Sequence, residues 1–200
     1  MTESKSKGGF ALAAEEILYR GWLTLRRIVV WRPDGSRLTI EVEDHGSAAS
    51  VLAYDPERKT VLLVRQFRVP PFLADGRTEM LEAIAGIVED DSPDETARRE
   101  AMEEAGLRLG ALEKVATAWS TPGMSTERTH LYLAPYHRED RIGAGGGVDG
   151  EGERITVEEM PAAELAAAVR AGTVDDLKTL ALTQALVLRH PELFQHDNQE

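Results

Sequence analysis

The stretch from Ala85 to Leu107, A-G-I-V-E-D-D-S-P-D-E-T-A-R-R-E-A-M-E-E-A-G-L, constrains this chain more than any other. It spells a turn, a capped helix and a stop. Ser92 suits the N-cap, because its hydroxyl accepts from a backbone N–H that the first turn leaves unpaired. Pro93 falls at the first helical position, where a missing N–H removes nothing. Glu95, three residues after Ser92, completes a capping box. Gly106 stands where a left-handed residue closes the last turn. On this helix Glu100, Glu103 and Glu104 share one face at i, i+3, i+4 spacing, and each exposed like pair costs about 0.2–0.5 kcal/mol. Near the helix C-terminus they also oppose the macrodipole. An otherwise well-specified helix thus carries one unfavourable feature. It is either a solvated acidic face or a set of hard oxygen ligands, whose repulsion a cation such as Mg²⁺ turns into attraction.

The remaining elements follow from periodicity and turn chemistry. Leu23–Trp31 and Leu38–Glu43, joined across Pro33-Asp34-Gly35, read as a β hairpin that is unstable alone and must pack on the main domain or a second subunit. Residues 1–9 read as a disordered polar tail. Strands are predicted at Ala48–Tyr54, Thr60–Phe67, Met80–Ala85, Val115–Ser120, Thr129–Ala134 and Arg154–Val157. A helix follows Pro161 and stops at Gly172; a last one runs from about Asp175 to His190 and stops at Pro191. Strands alternating with helices imply an α/β chain: an α/β/α sandwich with a mixed sheet, preceded by an N-terminal antiparallel hairpin region. The expected division is 1–46 for tail and hairpin and 47–200 for the main domain. His130 reads as a structural polar residue. Gly143–Glu153 reads as a mobile acidic loop presenting Glu151 and Glu153. It is not a P-loop, since no G-K-[ST] follows its glycines.

Composition narrows the function. The 200 residues carry a formal net charge of −12, a poor match to nucleic acid, whose phosphates need Lys and Arg. No apolar run of about 18 residues occurs, so no transmembrane helix is expected. The polar stretch M-T-E-S-K-S-K-G-G has no apolar signal segment, so export is not expected, and the absence of cysteine excludes disulfides and thiolate metal sites. A cytoplasmic protein is expected. An anionic substrate would need local cations, and Arg65 and Arg68, flanking Gln66-Phe67, read either as exposed edge-strand residues or as a phosphate clamp. Glu82 interrupts an apolar strand, so its carboxylate is partnered or functional.

Gly86, Arg99, Glu100, Ala101, Glu103, Glu104, Gly106 and Leu107 together form a pattern that resembles the Nudix box, the signature of hydrolases that cleave nucleoside diphosphates linked to another moiety. The span is one residue short, and its early Glu has no counterpart in register. The R-E-A-M-E-E-A-G-L core is complete. The R-Q-F-R stretch, the E-x-x-A-G lead-in, the P-G-x-x-x-E loop, the A-G-G-G-V segment and the late K-T pair resemble the nucleotide-sugar branch of that family, in its GDP-mannose and ADP-ribose forms. The resemblance implies hydrolysis of a nucleoside diphosphate sugar to a nucleoside monophosphate and a sugar phosphate. It implies two or three Mg²⁺ ions, with Mn²⁺ as a substitute, to neutralise the diphosphate and activate water.

By position in that family, Glu100, Glu104, the Ala85 carbonyl and Glu153 are metal ligands, and Glu151 is the general base. Glu103 is an outer ligand or a contact behind the ligands, and Arg99 steers the glutamates by ion pairing. Arg65 and Arg68 hold the diphosphate, while Glu82 and Glu127 contact waters around the metal or substrate hydroxyls. Lys178 of the K-T pair also joins the substrate-binding group. The resemblance further implies a homodimer through the N-terminal hairpin, with Tyr19 or Trp22 stacking on the base or serving as packing aromatics. Ile40 stands where many relatives have an arginine, so one substrate contact is missing or supplied elsewhere. No nucleic-acid or membrane partner is expected. Two other readings compete: a Nudix-fold module that binds a nucleotide sugar without cleaving it, and a structural protein with a solvated acidic helix.

Overall fold

The computed structural model describes residues 6–147 and 154–195. The chain divides into two compact units: the first takes the chain up to Ser47 together with Trp119–Arg128, the second Ala48–Ala118 and the chain from Thr129 onward.

The first unit is an antiparallel sheet of β1 (Ser6–Lys7), β2 (Phe10–Arg20), β3 (Thr24–Trp31) and β4 (Arg37–Asp44), in that order. The predicted hairpin is β3–β4, turning at Gly35 with φ of 77°. Two features differ from the sequence expectation. Ser6–Lys7 pairs with Phe10–Ala11 instead of belonging to an unstructured tail. The eleven-residue β2 was not expected at all. Its pairing with β3 slips between Leu12 and Ala14 and again between Ile17 and Tyr19, and each slip inverts the alternation by which a strand is recognised. The segment Trp119–Arg128 is tied to β4: Glu43 N–H donates to the Met124 carbonyl (2.9 Å) and Thr126 N–H to the Glu43 carbonyl (3.0 Å).

The second unit contains β5 (Ser47–Asp55), β6 (Thr60–Gln66), α1 (Val69–Asp75), β7 (Met80–Glu82), β8 (Ile84–Val88), α2 (Pro93–Ala105), β9 (Glu113–Trp119), β10 (Arg128–Pro135), β11 (Thr156–Pro161), α3 (Ala162–Ala171) and α4 (Leu177–Arg189). Its sheet runs β11-β6-β5-β10-β9, with β7 added to β6 and β8 to β5. It is mixed: β5 and β10 are parallel, whereas β6 is antiparallel to both β5 and β11. Successive residues of a strand face opposite sides, and here both sides are covered. Ala49, Val51, Ala53, Leu62, Val64, Tyr132 and Ala134 pack with Ala97, Ala101 and Ala105 of α2. The alternate positions Leu52, Tyr54, Val61, Leu63, Leu131 and Leu133 pack with Leu165 of α3 and Leu182 and Leu186 of α4. Burial on both faces is why β5, β6 and β10 read as continuous apolar runs. The arrangement is an α/β/α sandwich with a mixed sheet.

The helix α1 was not expected, because Val69-Pro70-Pro71 reads as a breaker. Arg68 is its N-cap and the prolines lie in its first turn, whose N–H groups have no intrahelical acceptor anyway. No helix among the described residues is long and apolar enough to cross a membrane.

Candidate active site

The site is built on α2. Ser92 accepts from Glu95 N–H, Glu95 reaches back to Ser92 N–H (3.1 Å), and Gly106 is left-handed at φ 63°. Both predicted caps are present. The acidic face is divided by Arg99, which pairs with Glu100 and Glu103 at 2.9 Å each and approaches Asp91 at 3.6 Å. Burial works against the Arg99 charge, but Glu100 and Glu103 outweigh it and hold the guanidinium more firmly protonated than usual. Arg99 thus offsets the repulsion that the sequence places on this face.

Glu104 is buried, and Ala85 N–H donates to its Oε2 (3.3 Å). Glu100 lies against the backbone of Gly86 so closely that a Cβ at position 86 would overlap its carboxylate. The box glycine therefore has a steric reason. Glu100 and Glu104 are both seated on the Ala85–Gly86 segment of β8.

The glycine-rich segment corrects one expectation. Gly143–Gly147 is not a free loop, because it is pinned to the C-terminal end of α2. The N–H groups of Ile142 and Gly143 donate to the Gly106 carbonyl, Gly146 N–H to the Glu104 carbonyl (2.9 Å), and Gly147 N–H to the Glu103 carbonyl (3.1 Å). The last carbonyls of a helix lack intrahelical donors, and this segment supplies them. Gly145 has φ of 70°, and a Cβ there would overlap the backbone of Glu104 and Ala105. Glu151 and Glu153, expected as base and metal ligand, lie outside the described residues.

A second cluster surrounds Glu82, whose side chain is 3% exposed. Arg68 binds it through Nε (2.9 Å) and Nη2 (3.1 Å), and Lys178 through Nζ (2.5 Å). Burial pushes the Glu82 carboxyl up, but the Arg68 hydrogen bonds and the Lys178 charge outweigh it, so the group stays ionised below its ordinary range. The structure thus brings Arg68, Glu82 and Lys178 together, with Glu82 engaged by cations. Arg65 is placed differently. It pairs with Glu158 (2.7 Å) and lines a cleft of about 270 Å³ with Leu81, Leu165 and Ala168, on the face covered by α3. Glu127 belongs to the first unit, where its Oε2 lies 2.7 Å from His45 Nε2, and Trp22 stacks on that imidazole at 5.1 Å. His130 Nδ1 lies 3.1 Å from Thr117 Oγ1.

Among the described residues no three His, Asp or Glu side chains converge closely enough to hold an ion by themselves. The helix supplies part of a donor set. That part fits a hard divalent cation: two carboxylates seated on one backbone segment, with no sulfur or imidazole among them.

An acidic, arginine-divided helix packed on a mixed sheet carries this candidate site, and similarity to known proteins places the chain among the hydrolases that act on phosphoanhydride bonds. The chain belongs to the Nudix family: the NUDIX domain model matches residues 44–178. It is similar to the GDP-mannose pyrophosphatase of Cronobacter sakazakii, at 43% identity over 183 residues, covering 89% of this chain and 95% of that protein. The GDP-mannose pyrophosphatase of Pectobacterium atrosepticum is 38% identical over 89% of this chain and 94% of its own. The crystal structure of an ADP compounds hydrolase has the same fold, with a TM-score of 0.72 over 94% of this chain and 99% of that one, at 16% identity.

Sequence reasoning missed the anchoring of Gly143–Gly147, the contact of His45 with Glu127, and the hydrogen bond that Thr179 accepts from Ala83 N–H. The first had a readable signal, since a helix ending in free carbonyls needs donors. The other two depend on long-range packing, for which the sequence has no local sign.

Proposed function

We infer that this protein hydrolyses the diphosphate of a GDP-mannose-type nucleoside diphosphate sugar, releasing a nucleoside monophosphate and a sugar phosphate. The carrying observation is the seating of Glu100 and Glu104 on Ala85–Gly86. The names of its relatives support GDP-mannose over ADP-ribose. Glu100, Glu104 and the Ala85 carbonyl would hold Mg²⁺, with Glu153 joining them. When bound, the metal supplies charge neutralisation and activation of the attacking water. Arg68 and Lys178 meet the anionic diphosphate, and Glu82 keeps these two like charges adjacent. Arg99 holds Glu100 and Glu103 in place. Glu151 takes the proton from the attacking water.

We assign the N-terminal unit to homodimer formation, because Phe10, Leu12, Ile17, Tyr19, Trp22 and Trp31 are all exposed there, and exposed apolar side chains gathered on one unit are what a second copy would cover. Absence of cysteine agrees with a reducing cytoplasm. The test of substrate is turnover of GDP-mannose, ADP-ribose, UDP-glucose and NADH with Mg²⁺. The highest kcat/KM is expected for GDP-mannose. A clear preference for another compound would overturn the choice of sugar, and no turnover of any would overturn the enzyme.

A further inference from the structure

At Ala83 the chain changes strand partners. The three residues of β7 pair with β6, the five residues of β8 pair with β5, and Ala83 alone separates them. Such a switch leaves backbone groups that neither ladder serves, and burial makes an unserved group costly. Two fully buried hydroxyls serve them here. Ala83 N–H donates to Thr179 Oγ1 (2.6 Å), and Ser50 Oγ donates to the Ile84 carbonyl (2.9 Å); Ser50 and Thr179 are both 0% exposed.

The Thr179 hydroxyl is oriented for this task. Its proton goes to Asp176 Oδ2 (2.5 Å), which leaves a lone pair for Ala83 N–H. Asp176 is the N-cap of α4, accepts Thr179 N–H (2.9 Å) and also holds Lys178 (2.9 Å). The first turn of α4 therefore grips two consecutive residues of the switch, Glu82 through Lys178 and Ala83 through Thr179. Two residues further on, Ala85 and Gly86 receive Glu104 and Glu100.

We propose that Thr179 and Ser50 are positioning residues that set where Ala85–Gly86 stands against Glu100 and Glu104, and so set the affinity of the site for a divalent cation. The proposal rests on the metal-hydrolase reading above. Neither hydroxyl touches substrate or metal; each acts through the backbone of the switch. Residues that orient metal ligands from behind typically change affinity by roughly 10–100-fold when lost.

The test is Mn²⁺ binding to the full chain without substrate, followed by the EPR signal of free Mn²⁺. Thr179→Val keeps the shape and removes the hydroxyl; its affinity is expected to fall by at least about 10-fold. Thr179→Ser restores the hydroxyl and is expected to bind as wild type. Leu186→Ala, two turns further along α4 in the same apolar core and with no side-chain hydrogen bond to give the switch, is expected to melt earlier and keep its affinity. If Thr179→Val does not fold, Ser50→Ala carries the same expectation. Wild-type affinity in Thr179→Val, or an equal loss in Leu186→Ala, would overturn the proposal. A wild-type protein that binds no Mn²⁺ would instead overturn the metal-hydrolase reading, and this proposal with it.

Discussion

The absence of a single methyl group lets Glu100 lie against the backbone of Gly86. The atoms a Cβ would meet are the end of a flexible side chain, so Gly86→Ala displaces Glu100 more than it strains the fold. The expected outcome is a melting temperature close to wild type with activity lowered by at least about 10-fold, the scale seen when metal ligands are reoriented. Unchanged turnover would separate Glu100 from the chemistry. Glu82 makes the opposite prediction, a large effect on stability. Glu82→Gln leaves Arg68 and Lys178 facing each other without their shared anion. Breaking a fully buried pair costs about 3–5 kcal/mol, and Arg68, at 41% side-chain exposure, rehydrates in part, so about 2 kcal/mol is expected in urea denaturation. The sign with pH follows from the lowered carboxyl. Glu82 is held below its ordinary value of 4.5, so its contribution is complete above that value and is lost as pH falls below it. Wild type and Glu82→Gln should therefore converge in stability on acidification.

At the scale of elements, the two ends of α2 are finished differently. The N-terminus is closed locally by Ser92 and Glu95, and both were legible because a capping box is written in consecutive residues. The C-terminus is closed by Gly106 and then by Gly143–Gly147, which arrives from much further along the chain. Its glycines read as a flexible loop because glycine permits flexibility, yet they are needed for left-handed backbone and close approach. Gly145→Ala is expected to cost at least about 1 kcal/mol, since its φ is positive and its Cβ would strike backbone; thermal denaturation reads this directly. The same contrast runs through the sheet. β5, β6 and β10 were legible from their apolar runs, whereas β2 was hidden by two register slips and α1 by its prolines. Arg68, Glu82 and Lys178 were singled out by residue type, but that Glu82 gathers the other two follows only from the fold.

For the whole molecule, membership of the Nudix family makes the chain a hydrolase of phosphoanhydride bonds, and the α/β/α sandwich is the fold that carries it. The exposed aromatic and aliphatic residues of the N-terminal unit predict a dimer in solution, and light scattering at micromolar concentration checks it; a monomeric mass would contradict that assignment. The central claim concerns chemistry on α2. The most direct measurement is ³¹P NMR of GDP-mannose with Mg²⁺ and either wild type or Glu104→Gln. Wild type is predicted to convert the diphosphate resonances into those of GMP and mannose 1-phosphate. Glu104→Gln, with an unchanged circular dichroism spectrum, is predicted to be slower by at least about 100-fold. Conversion by Glu104→Gln at the wild-type rate, or binding by wild type without conversion, would contradict the account.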